Sequence, residues 1–282
     1  MRIMFLGTSA ATSFPLVFCK CRVCEKARIN KGKDIRKRSS LIINDDMLID
    51  FGPDVVTSAA MYDIDLTKVK YILQTHGHSD HFDAGHLIKR LKEYAAENVG
   101  HICLVASVET VKSLDRHMKS EEPEVDLFDE KWLSRLNMEI KYIHSGDCIR
   151  LGEYSVTAIE SLHDIGENSL IYIINYNDKN ILYGTDLLRI SDRAWNILKT
   201  FQLDIVILDH TYGAGFNAGG HLDALQVIDI VRKMKKEKII DEKSMVYATH
   251  ISHEGNDTHD AMETLAVKNG YHIAYDGLEI NI

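Results

Sequence analysis

Hydrophobic positions along the chain come in short runs that switch between two periods. Apolar, β-branched runs predict strands at Ile3–Leu6, Ser40–Ile43, Met47–Asp50 and Val69–Gln74. Helical spacing between and after them predicts helices at Asp54–Met61, Ala84–Ala96, Ser107–His117 and Asp126–Leu136. A second β-rich block follows at Met138–Ile143, Ser155–Glu160, Ser169–Asn175 and Asn180–Tyr183. Helix Leu187–Thr200, strand Asp204–Leu208, helix Leu222–Lys236, strand Ser244–Thr249 and helix Asp257–Lys268 come next, and the chain closes in a hairpin-like tail. Two successive blocks of strands and helices predict an α/β protein with two sheets packed together and helices outside.

Composition narrows this only a little. The chain has 282 residues, three of them proline, and no Gly/Ser-rich linker. It reads as a single domain over residues 1–282, with a helical insertion around 107–137. The formal net charge of −9 argues against nucleic acid as a sequence-independent partner, because such binding needs Lys and Arg to neutralise phosphates. The basic run Lys31–Arg38 is the local exception. It is expected to be a solvated loop; the competing reading is a positive rim for an anionic substrate. No apolar stretch approaches the ~20 residues of a membrane span, and the N-terminus is too short for a signal-peptide core. A cytoplasmic location and no membrane partner are expected, with the five cysteines as thiols or metal ligands.

Candidate chemistry concentrates just past strand ends, where a rigid sheet positions side chains and loops leave room for substrate. Thr75-His76-Gly77-His78-Ser79-Asp80-His81 puts three His and one Asp within seven residues. Imidazole and carboxylate suit Zn, Mn or Fe. His76 and His78 alternate, so an extended backbone points both towards one ion, while Asp80 and His81 face a second as the chain turns.

This segment resembles the His-x-His-x-Asp-His signature of the metallo-β-lactamase superfamily. The resemblance implies a four-layer αββα sandwich with two metals at one edge of the sheets. Further family motifs have matches in the expected order: Asp50 in Asp50-Phe51-Gly52, His163 after Glu160, Asp186 after Tyr183 and His250 after Thr249. The implied first metal is held by His76, His78 and His163, and the second by Asp80, His81 and His250. Asp186 bridges them, and Asp50 supports the site from behind. The resemblance also implies an active-site role for His221, in substrate contact or proton transfer. Its position before a helix suits an anion, yet fits an exposed His in a capping turn equally well. His210 is expected to be a core histidine, and Asp164 is left undecided.

Cys19-Lys20-Cys21-Arg22-Val23-Cys24 places three thiols in six residues, which favours structural zinc with a fourth ligand still to be found. Within the superfamily such a cluster resembles that of the phosphoribosyl cyclic phosphate phosphodiesterases of the carbon–phosphorus lyase pathway. The B proteins of pyrroloquinoline quinone biosynthesis carry a comparable one. The first resemblance implies His253 as the fourth ligand. Cys103 and Cys148 are expected to pack in strands.

The expected function is a metal-dependent hydrolase, a phosphodiesterase of a small cyclic phosphate or nucleotide. Its nucleophile is expected to be a hydroxide activated by two divalent ions, Zn or Mn, with Asp80 and His221 in catalytic positions. The alternatives are a transfer-RNA 3′-processing endonuclease and a non-catalytic metal-binding protein of cofactor biosynthesis. The acidic stretch Glu121-Glu122-Pro123-Glu124 argues against an RNA clamp. A homodimer is the default assembly for a soluble enzyme.

Overall fold

The computed structural model describes residues 1–95, 99–164, 166, 168–216 and 218–282. Among these, two sheets of seven strands face each other. In the first, β1 (Arg2–Gly7), β2 (Ser40–Ile43) and β3 (Met47–Ile49) run as an antiparallel meander. β4 (Tyr71–Leu73), β5 (Ile102–Ala106) and β6 (Met138–Tyr142) then add in parallel. The second sheet repeats the scheme. β7 (Cys148–Leu151), β8 (Tyr154–Glu160), β9 (Leu170–Tyr176) and β10 (Lys179–Gly184) are antiparallel. β11 (Ile205–Asp209), β12 (Met245–Thr249) and β13 (His272–Ile273) follow in parallel.

Alternation along each strand explains the layers. Ile3, Phe5, Leu41, Ile43, Ile205 and Ile207 point into the core between the sheets. Met4, Leu6 and Ile42 point outward under the helices of the first sheet, as Val206 and Leu208 do under those of the second. Strands buried on both faces read as continuous apolar runs, which is why β2 and β11 are conspicuous in the sequence. The outer layers carry α2 (Val55–Met61), α3 (Ala84–Ile88), α4 (Val108–Glu121) and α5 (Glu130–Leu136) on one side. On the other lie α6 (Asp192–Leu198), α7 (Ala224–Lys236) and α8 (His259–Lys268). α7 buries Ala224, Val227, Ile228, Val231 and Met234, an i, i+3, i+4, i+7 stripe. Asp223 and Gln226 form a capping box at its start, worth about 1 kcal/mol. No described helix is long and apolar enough to cross a membrane.

Several expectations are corrected. The tail is not a hairpin: β13 pairs with β12, whereas β14 (Glu279–Asn281) crosses over to pair with β1 in the other sheet. Helix Ala84–Ala96 ends at Ile88, because Arg90 turns away to bond the carbonyls of Leu136 and Asn137; Ala96 lies outside the described residues. Helix Leu187–Thr200 begins only at Asp192, where the Ser191 hydroxyl caps Ala194 N–H. Strands β5 and β7 supply the strand settings expected for Cys103 and Cys148, whereas helix α1 (Arg22–Asn30) was not expected. Segment 107–137 forms α4 and α5, the crossover from β5 to the parallel β6.

The basic run is solvated at its start, where Lys31, Gly32, Lys33 and Ile35 are exposed, but not at its end. Arg36 is buried, with its guanidinium bonding Thr8 Oγ1 at 2.8 Å, the Ala274 carbonyl at 2.5 Å and His259 Nδ1 at 3.1 Å. Lys37 pairs with Asp276 and Arg38 with Asp54. Residues 36–38 thus form a strut that pins the N-terminal loop. Cys103 packs between the sheets as expected, but Cys148 is exposed on the edge strand β7. His210 is a core residue beside Tyr271.

Candidate metal centre

Four strand ends converge on one edge of the sandwich. The His76–His81 loop leaves β4, His163 follows β8, Asp186 follows β10 and His250 follows β12. Gln74, at the end of β4, bonds the carbonyls of His76 and His81 at 2.9 Å each and so fixes the loop. Gly52 allows the loop to approach, since a Cβ there would meet the Asp80 carbonyl at 2.5 Å. Asp50, Asp186 and His250 all adopt positive φ (60°, 52° and 62°), a costly conformation for such residues that clusters at functional sites.

Four of the histidines, His76, His81, His163 and His250, share one pattern, with the Nδ1 atom held by the protein and the Nε2 atom facing inward. His78 is reversed, its Nδ1 facing His76 and its Nε2 facing Asp164. His81 Nδ1 lies 2.7 Å from Asp50 Oδ2. His163 Nδ1 donates to the Gly220 carbonyl at 2.8 Å. His250 Nδ1 lies 2.8 Å from Thr211 Oγ1 and 3.2 Å from Asp209 Oδ1. His76 Nδ1 lies 2.9 Å from Thr75 Oγ1, which itself bonds Asp50. Such partners fix a ring's tautomer and leave Nε2 with its lone pair free for a cation.

Those inward atoms crowd together. His81 Nε2 is 3.0 Å and His250 Nε2 3.3 Å from Asp186 Oδ2, while His163 Nε2 is 3.5 Å from Asp186 Oδ1. Asp80 Oδ2 is 3.2 Å from His81 Nε2 and 3.7 Å from His250 Nε2. His76 Nε2 and His78 Nδ1 are 3.0 Å apart, near the about 3.3 Å expected between two nitrogens on one tetrahedral zinc. His76, His78 and His163 therefore form one ligand-type group, and Asp80, His81 and His250 another, with Asp186 reaching both. The buried atoms His81 Nε2, His250 Nε2 and Asp186 Oδ2 have no hydrogen-bond partner in the protein. Buried polar atoms crowded at one point without aligned hydrogen bonds are costly unless a cation completes them, so the residues present fit a metal pair.

Electrostatics points the same way. Burial alone would lower the pKa of His81, yet Asp186, Asp80 and Asp50 outweigh it and raise it well above the usual histidine value. Burial is likewise overcome at His250, which Asp186 and Asp209 push up to about 10. Burial would raise Asp186, but His250, His81 and His76 hold it well below the usual carboxylate range. His76 goes down through burial and the His81 charge. Without metal, protons on His81 and His250 do the neutralising.

His221 lies at this site. Its ring sits 4.5 Å from that of His163 and stacks 5.1 Å from that of His250, with Nδ1 3.4 Å from Asp209 Oδ1. Asp164 approaches His78 Nε2 at 3.4 Å from the rim. The main residue that sequence reasoning missed is Asp209. Fully buried at the end of β11, it orients His250 and His221 and accepts from Leu222 N–H at 2.7 Å. Those bonds prevail over burial and bring its pKa to about 2. Its position past a buried strand was the available signal, since Asp50 at the end of β3 stands in the same relation to His81.

A second cluster lies alongside. Cys19, Cys21, Cys24 and His253 bring one ligand atom each within 4.8 Å of one another. His253 Nδ1 is 3.7 Å from Cys19 Sγ and 3.5 Å from Cys21 Sγ. Cys21 is the N-cap of α1 and Cys24 lies in its first turn. Burial would raise the Cys21 thiol, but the Cys24 backbone and the His253 ring bring it down to about 6, a thiolate suited to zinc.

Solved structures of the same fold cover nearly the whole chain. A diphosphatase of the PhnP family is 24% identical with a TM-score of 0.73, over 100% of this chain and 97% of that one. Zinc-bound PqqB from Methylobacterium extorquens is 18% identical with a TM-score of 0.75, over 100% of both chains. The short form of human tRNase Z is 17% identical with a TM-score of 0.66, over 100% of this chain and 99% of its own. Among curated proteins, an octanoyltransferase of Porphyromonas gingivalis is 40% identical over 85 residues, 29% of this chain. The match takes in 16% of that relative, so the chain spans about a sixth of its length. The model of the β-lactamase superfamily domain matches residues 46–251, a stretch that contains Asp50 and every candidate ligand from His76 to His250. On that match and this αββα sandwich, the chain belongs to the metallo-β-lactamase superfamily.

Proposed function

We propose that the protein is a metal-dependent phosphodiesterase acting on a small cyclic phosphate or a nucleotide. The observation that carries the reading is the set of buried, unpartnered atoms on His81, His250 and Asp186 converging below an open cleft of about 190 Å³. His76, His78 and His163 would hold one divalent ion, Asp80, His81 and His250 the other, and Asp186 both. Such a pair supplies a nucleophilic water ionised at neutral pH and charge neutralisation for phosphoryl oxygens. A carboxylate shared between two sites is a hard ligand and suits ions that grip phosphate. Asp50, Asp209 and Thr211 keep the imidazoles in the metal-binding tautomer. His221, oriented by Asp209 and facing the same cleft, is placed to deliver a proton to the leaving alkoxide. That one fold neighbour is a diphosphatase agrees with phosphoryl chemistry. Cys19, Cys21, Cys24 and His253 would hold a structural zinc.

The test is metal content together with turnover of bis(p-nitrophenyl) phosphate and a panel of cyclic and linear diesters, with precursor tRNA included. Turnover that needs two equivalents of metal beyond the cysteine-bound one is expected. D186N should lose at least 10²-fold in kcat/KM and bind metal more weakly. Full metal loading with no diester turned over would sink the enzyme reading. Activity confined to tRNA would replace it with the nuclease one.

A further inference from the structure

The wall of the cleft says what the substrate carries besides its diester. Apart from the candidate ligands and His221, the polar side chains lining it are Thr12, Thr211, Tyr212, Ser252 and Glu254. Three are engaged within the protein. Thr211 Oγ1 bonds Asp209, Ser252 Oγ donates to the Thr211 carbonyl, and Tyr212 OH donates to the Gly219 carbonyl. Two remain. Thr12 Oγ1 is buried without a hydrogen-bond partner. Among the described residues, no hydrogen bond or ion pair holds the Glu254 carboxylate.

Glu254 is held in place by its backbone. Its N–H donates to Ser252 Oγ at 3.1 Å and its carbonyl accepts from Gly213 N–H at 2.9 Å. The two loops are so close that a Cβ on Gly213 would fall 1.8 Å from the Gly255 carbonyl oxygen. The carboxylate is thus presented by a rigid pair of loops. No Lys or Arg lines the cleft among the described residues, and the six positions outside them are Ala, Asn, Glu or Ile in the sequence.

A diester carries one negative charge, which a metal pair neutralises. A further phosphate would add about −1.5 to −2 at neutral pH. It would find Glu254 and no cation to receive it. A hydroxyl, by contrast, can donate to Glu254 and, once the part-exposed Thr12 side chain turns its buried Oγ1 into the cleft, accept from Thr12. We propose that Thr12 and Glu254 form a hydroxyl-binding subsite, so that the cleft selects a sugar- or polyol-borne diester without a second phosphate. The proposal rests on the diester reading above and sharpens its substrate class.

Binding by the metal-loaded protein tests it without turnover. The probes are adenosine 2′-monophosphate, adenosine 2′,5′-bisphosphate and inorganic phosphate, measured by calorimetry. The wild type should bind the monophosphate roughly tenfold more tightly than the bisphosphate at low salt, and should lose most of that margin in about 0.5 M salt. E254Q should shrink the margin and E254K reverse it. T12V should weaken the monophosphate relative to inorganic phosphate. A wild type that prefers the bisphosphate at low salt overturns the proposal, as does a margin untouched by both Glu254 substitutions. The salt series on the wild type decides if the variants fold poorly. Turnover of bis(p-nitrophenyl) phosphate by the same preparation separates the two claims. Turnover with no margin sinks the subsite alone, and a margin with no turnover supports the subsite while sinking the diester reading.

Discussion

Asp209 lies behind the two ligand groups described above, where it touches His250, His221, Thr211 and the Leu222 backbone. Removing such a partner typically costs 10- to 100-fold in metal affinity. D209N is expected to lie in that range, with kcat falling further because His221 loses its orientation. An isosteric amide that left both affinity and kcat intact would show that Asp209 is only a core residue. The protons on His81 and His250 make a second prediction. Both pKa values stand above the ordinary histidine value, so their stabilisation of the metal-free protein is fully present below about 6.5. It is lost as pH rises through the raised value, about 10 for His250. Asp209 works in the opposite sense: its contribution holds above about 3.8 and is lost as pH falls through about 2. Metals must displace the His81 and His250 protons, so affinity should climb with pH between about 6 and 9. Calorimetry in buffers of different ionisation enthalpy should register proton release on metal binding. No release would mean that these rings are not the ligands.

At the level of elements, legibility followed chemistry and burial. Strands buried on both faces, such as β2 and β11, were readable because their stretches Leu41–Ile43 and Ile205–Leu208 are wholly apolar. The ligands past β4 were readable from their spacing, whereas those past β8, β10 and β12 were readable only through the ordered resemblance to the superfamily's motifs, since a lone His or Asp past a strand is commonly a structural hydrogen-bonder. The edge strand β7 was harder to delimit, since it is four residues long and only Ile149 and Leu151 turn toward the core. α1 was hidden for another reason: its buried residues are Val23, Cys24 and Ala27, a narrow stripe inside a charged run, and its N-cap, Cys21, makes no side-chain cap bond. A helix so weakly specified depends on what holds its first turn. Arg22 pairs with Asp257 across the same junction, but on an exposed surface that adds little. Beyond the packing of Val23 and Ala27 on Phe14, metal on the cysteine cluster would add an anchor to the first turn of α1. C24S should lower stability by about 2 kcal/mol or more, a fall in Tm of roughly 4–8 °C in thermal melts. An unchanged Tm in zinc-replete buffer would argue that the thiols are bystanders.

Across the whole molecule, each half builds an antiparallel meander followed by parallel strands, and the site draws on both. Asp50 leaves β3 and Asp186 leaves β10, corresponding strands of the two sheets, and both turn through positive φ. The first sheet supplies the His76–His81 loop, and the second supplies His163, Asp186 and His250. Cations bound there link the two sheets across the edge of the core, so metal should stabilise the fold by mass action. At a free concentration about 1,000-fold above Kd the gain is about 4 kcal/mol per site, or roughly 8–16 °C in Tm. The two metal sites are separable by mutation. In D186N the part of the metal-dependent Tm shift that survives belongs to the cysteine cluster, and in C24S the surviving part belongs to the strand-end site. The two residual shifts should together approximate the wild-type one if the sites act independently. A residual shift near zero in C24S would mean that the strand-end residues gain nothing from a cation, and the orphaned atoms of His81, His250 and Asp186 would then need another explanation.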